Sequence, residues 1–147
     1  LMAFEPAVPL LPPKEVLALA AADRSQPVDG GALNSFYSDD PSEAYRKSGF
    51  LLAGLYGLRR VEDATAKDFA DKLELDLGRQ TNWTRLIEQA ADANNAALVS
   101  LLAGVGMQGN GWDKMTPLHL YHIVAALRRA GLEGEARMIA AEAVARV

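Results

Sequence analysis

The residues from Phe50 to Leu58, FLLAGLYGL, are apolar at every position, so a helix built on them has no face left for water and has to be enclosed by other elements. Asp40-Pro41-Ser42-Glu43 upstream supplies the start of that helix: Asp as N-cap, proline at the first helical position, and glutamate at N3 reaching back to the cap. The spacing predicts a central helix over about 42–61. Its enclosing elements are helices too, because 26 Ala and 21 Leu among 147 residues, against 9 Val, 3 Ile and 4 Thr, favour helix over strand. The expected fold is all-α, six or seven helices in stacked antiparallel hairpins around the central one, in a single domain over 12–147. An all-β fold is excluded.

Before that domain, EPAVPLLPP at 5–13 places four prolines in nine positions, removing N–H donors and the αR conformation, so 1–11 reads as an extended linker or lead-in. Pro12 and Pro13 fit a first helical turn, and KEVLALAAAD continues it. Ser25 to Ser38 is turn-rich and reads as a loop with a short helical insert. Thr65 is the expected cap of a helix closed by Gly78, with Asp63–Lys67 and Asp68–Lys72 as i,i+4 ion pairs. Thr81 or Asn82 starts the next helix, and Asn94-Asn95 breaks it before one carrying Leu98, Leu101, Leu102 and Val105. Thr116-Pro117 opens the penultimate helix, Gly131-Leu132 stops it, and the last one shows Ala136, Ile139, Ala140, Ala143 and Val144 on one stripe. Gly49, Gly54 and Gly57 in the central helix each cost about 1 kcal/mol relative to alanine, which is offset where a neighbour approaches the backbone closely.

Few residues point to chemistry. Without cysteine there is no disulfide, thiolate zinc site or cysteine nucleophile. GVGMQGNG, Gly104 to Gly111, reads as a loop and contains the G-x-G-x-x-G string, but the run before it is Leu/Ala-rich with a helical stripe and the next helix opens only at Thr116, so it is not a dinucleotide fingerprint. Backbone N–H groups at Gly106, Gly109 and Gly111, beside the Thr116 helix start and His119, form a candidate ligand or anion site. His119 and His122 share a helix face at i,i+3 but lack further ligands, so no metal and no cofactor are expected. Trp112, Tyr121 and His122 are candidates for an interaction surface. No catalytic residue is read: carboxylates sit at helix starts or in i,i+4 pairs, and there is no nucleophile elbow.

Leu120 to Ala145, LYHIVAALRRAGLEGEARMIAAEAVA, resembles in pattern the two-helix units of tetratricopeptide-like and other α-helical repeat proteins, and its AGLxxEAR turn resembles C-terminal helical segments of bacterial proteins. The resemblance covers 26 of the 147 residues and carries no functional residue with it. It implies a partner-binding or scaffold role within a larger bacterial protein. The expected function is therefore a non-enzymatic protein–protein interaction module; the alternative is a ligand-binding or enzymatic helical bundle with its site near the 104–111 loop and His119. A net charge of −4 and a single small basic cluster, Arg46, Lys47, Arg59 and Arg60, argue against a nucleic-acid partner. No apolar run approaches the roughly 20 residues of a membrane span. A homodimer through the last two helices is compatible with the pattern. The start at Leu1 shows no signal peptide and suggests an excised segment, and bacterial cytoplasm and periplasm are both compatible with a cysteine-free domain.

Overall fold

The computed structural model describes residues 27–107 and 114–147, and these contain seven α-helices and no strand. They are α1 (Gly30–Asp39), α2 (Arg46–Gly57), α3 (Asp63–Lys72), α4 (Asn82–Asp92), α5 (Ala96–Met107), α6 (Pro117–Arg129) and α7 (Glu133–Arg146). The lead-in over 1–11 and the helix read from Pro12 lie outside the described residues.

The central helix is α2, whose residues from Ser48 to Leu55 are all buried. Its start differs from the sequence reading. Asp40 does cap it, but from eight residues away: one carboxylate oxygen accepts from the Ser48 N–H (2.9 Å) and Ser48 hydroxyl (2.7 Å), the other from the Ser42 N–H and hydroxyl. Ser42 Oγ in turn accepts from the Lys47 N–H at 3.0 Å. Between cap and helix runs a 3-10 turn, Glu43–Tyr45, with Ala44 and Tyr45 both in the left-handed region (φ 54° and 55°). Pro41 and Glu43 therefore do not take the N1 and N3 roles. Burial pushes the Asp40 carboxyl up, but the four hydrogen bonds outweigh it and hold the group below the usual carboxylate range.

The stretch read as a loop with a helical insert is α1, capped by Asp29, which accepts from the Ala32 N–H at 2.8 Å; this cap and fully buried Leu33 offset the two glycines that open the helix. Four helices end in one way. In α2, α3, α4 and α6 the residue after the C-cap is left-handed (Arg59, Glu74, Asn94, Gly131), and the N–H beyond it returns to a carbonyl five residues back. Gly131 and Asn94 match the sequence signals. Arg59 and Glu74 carry side chains at a conformation that costs an L-residue about 1–2 kcal/mol, which is why α2 stops short of Val61 and α3 short of Gly78.

Helix α2 packs against α6, α7, α3 and α1, and α6 links it to the α4–α5 hairpin. The α2–α6 crossing is close because Gly57 permits it: a Cβ there would lie 2.9 Å from Val124 Cγ1 and 3.2 Å from the Ala125 amide nitrogen. Arg128 adds a hydrogen bond from Nε to the Gly57 carbonyl (3.0 Å), and Arg46 one to the Met115 carbonyl (2.6 Å). Each fully buried side chain, such as Phe50, Leu52, Ile87 or Ile123, contributes about 1.5–3 kcal/mol relative to exposure.

Helix α5 carries the leucines and valine read from the sequence, but its buried side is a different one. Val99 and Ala103 face the core, while Leu98, Leu101 and Val105 are exposed. A helix apolar on both sides carries no amphipathic cue to its rotation, and in the structure Trp83 of α4 packs along its second half. The indole Nε1 donates to the Leu102 carbonyl (3.0 Å), and the ring lies so close over Gly106 that a Cβ there would be 2.5 Å from it. Gly104 and Gly106 are thus helical, and the expected loop does not begin at Gly104.

Candidate functional site

Two features stand out on this scaffold. The first is the outer face of the α4–α5 hairpin. Leu98, Leu101, Leu102 and Val105 recur at i, i+3, i+4, i+7 on α5, and Leu101 is 64% exposed, Val105 47% and Leu98 39%; Leu86 of α4, 52% exposed, stands beside them. A groove of about 380 Å³ runs between the helices, with Leu86, Leu98 and Leu102 as walls and Ala90 and Ala93 between them; Gln89 and Asn95 are its polar members and no charged residue lines it.

The second is a polar cleft of about 640 Å³ where the end of α2, the α2–α3 turn, α4 and α6 meet. Tyr56 and Tyr121 stack in it, ring centroids 5.1 Å apart and 11° between planes, and the Tyr56 hydroxyl donates to Asp63 at 3.1 Å. His122 is buried, its Nδ1 3.1 Å from the Glu88 carboxylate, while Nε2 has no hydrogen-bond partner. Burial pulls the His122 pKa below its ordinary 6.5 against the opposing pull of Glu88. Burial raises Tyr121, as do the Glu88 and Asp63 charges, whereas Arg59 and Arg128 lower it. Arg129 pairs with Asp92.

The residues read from the sequence are dispersed. Gly109, Gly111 and Trp112 lie outside the described residues, and Gly106 sits in α5 under Trp83. Thr116 caps α6, accepting from the His119 N–H, and its hydroxyl is 3.1 Å from His119 Nδ1. The His119 and Trp83 rings meet in a T-shaped pair, centroids 5.2 Å apart and planes at 85°. Thr116 and His119 do line one cavity, about 460 Å³, with Asp76, Arg79 and Thr81. The two histidines, though i,i+3, turn to different partners, and among the described residues no three His, Asp or Glu side chains gather as metal ligands. His122 lies inside rather than on the surface, and Tyr121 is half-buried against Tyr56. Glu88, Tyr56 and Arg59 were not singled out as site residues: Glu88 meets His122 only through the α4–α6 packing, which no local spacing reveals.

No helix among the described residues is long and apolar enough to cross a membrane. Compared with known proteins, the chain matches no protein family, no curated protein and no solved structure.

Proposed function

We propose that the protein is a non-enzymatic protein–protein interaction module whose α4–α5 face takes one amphipathic helix of a protein partner. The observation that carries this is the exposed leucine and valine stripe of α5, on a helix whose other side is already spent on the core. A helix apolar all round is normally enclosed, and the uncovered half is the surface a partner would enclose. Taken from the fractional exposures, the four side chains offer roughly 400 Å², within the range of functional patches on monomers but about half of what each subunit contributes to a standard dimer interface. That area fits a single helix better than a second copy of the chain. The groove beside the stripe has an uncharged lining, so the complementary surface is an aliphatic helix face whose own charges point away.

The test is fluorescence anisotropy with a labelled synthetic helix bearing leucine at i, i+3, i+4 and i+7 and Lys or Glu elsewhere. Saturable micromolar binding is expected, weakened at least about tenfold by Leu101→Glu, while the unfolding midpoint of this surface variant moves little. Absence of saturable binding, or equal binding by the variant, would overturn the proposal.

A further inference from the structure

The polar cleft between α2, α4 and α6 contains more charge than its internal pairs consume. Asp63 is engaged by the Tyr56 hydroxyl, Glu88 by His122, Arg129 by Asp92, and Arg128 donates from Nε to the Gly57 carbonyl. The Arg59 guanidinium, the Tyr121 hydroxyl and the Glu62 carboxylate remain: among the described residues none of these three groups makes a hydrogen bond or ion pair, and all three residues line the cleft. Arg59, Tyr56 and Tyr121 line the same cleft, and the Arg59 charge is felt at both tyrosine hydroxyls. A guanidinium beside a phenolic O–H is the donor set that takes a carboxylate, the first by two parallel N–H bonds and the second by one O–H bond. Glu88 and Asp63 act on the same hydroxyl and would repel a dianion about twice as strongly as a monoanion. The volume, about 640 Å³, lies within the range of small-molecule sites, and the stacked tyrosines form a flat aromatic wall.

We propose that this cleft binds a small organic monocarboxylate, with Arg59 and the Tyr121 hydroxyl as its anion-binding groups. The site is separate from the α4–α5 face, and the two stand or fall independently.

Arg59 makes the test decisive, because it occupies a left-handed position (φ 57°) that glycine adopts without strain. Arg59→Gly is expected to raise the unfolding midpoint by about 2 °C while removing binding, a combination that a merely structural arginine does not produce. The probes are sodium benzoate, neutral benzamide and inorganic phosphate, followed by backbone amide NMR shifts. Benzoate is expected to shift residues 56–63 and 121 saturably, benzamide to bind at least about tenfold more weakly, and phosphate to compete poorly. Arg59→Gly is expected to reduce benzoate affinity at least about tenfold, and Tyr121→Phe, which keeps the ring stack, several-fold. No saturable benzoate shift up to about 20 mM, phosphate binding as tightly as benzoate, or undiminished binding by Arg59→Gly would each overturn the assignment.

Discussion

Two helical glycines should respond to the same substitution with opposite signs. At Gly57 a Cβ would sit 2.9 Å from Val124 Cγ1, 3.0 Å from Val124 Cβ and 3.2 Å from a backbone nitrogen of α6, and only the first of these atoms belongs to a side-chain tip. Relief therefore requires α2 and α6 to move apart, which also strains the Arg128–Gly57 hydrogen bond. Overpacking of this kind costs about 1–3 kcal/mol, and the gain in helix propensity returns about 0.5–1 kcal/mol. Gly57→Ala should thus lose roughly 1 kcal/mol, and at most about 2.5 kcal/mol. At Gly104, exposed on α5, nothing lies within 4 Å of the added methyl, so Gly104→Ala keeps the propensity gain alone, about 0.5–1 kcal/mol. Urea unfolding of both variants, with the slope checked for constancy, measures the difference. If Gly57→Ala is as stable as the parent, or if both alanines shift the midpoint in the same direction, close approach is not why Gly57 is there.

Asp40→Ala should cost about 1–2 kcal/mol, since it removes the carboxylate that caps α2 and orders the strained turn before it. Because the folded carboxyl titrates below its unfolded value, the Asp40 contribution is present above the usual carboxylate range and fades as pH falls through its lowered pKa; acid unfolding of Asp40→Ala should lack that loss. His122 acts in a higher window. Its folded pKa lies below 6.5, so the unfolded chain binds more protons there and stability should rise as pH climbs towards 6.5, a slope that His122→Gln should flatten in pH-dependent thermal unfolding. Gly106→Ala should displace the Trp83 ring, 2.5 Å from the added methyl, and cost about 1–2 kcal/mol together with a shift in tryptophan emission.

The fold was legible where local chemistry and burial agree. The buried run from Phe50 to Leu55, the Thr116-Pro117 start of α6 and its Gly131 stop all follow from short-range rules, and the structure shows them. Ends of helices differ from the sequence reading where the stop is an ordinary residue in the left-handed region: nothing in Arg59 or Glu74 announces that conformation. The rotation of α5 has no local signature for the opposite reason, since Leu98, Leu101 and Val105 look as fit for the core as Val99 and Ala103, and the elements packed against it, α4 and α6, are fixed only in the tertiary fold. Sites fared worse than elements. Glu88 and His122, or Arg59 and Tyr121, meet only after α2, α4 and α6 are in place, so their chemistry is tertiary and leaves no spacing signature. Lys72 shows the same limit on the surface: instead of pairing with Asp68 it reaches the Asn34 side chain and the Tyr37 ring on α1.

Whether the α4–α5 face receives a helix is read from where the synthetic amphipathic helix binds on the protein. In an amide NMR titration with that peptide, saturable shifts should concentrate at Leu86, Leu98, Leu101 and Val105 and leave α7 and the polar cleft unmoved. Shifts that centre on the cleft or on α7, or that fail to saturate, would contradict helix binding at the α4–α5 face.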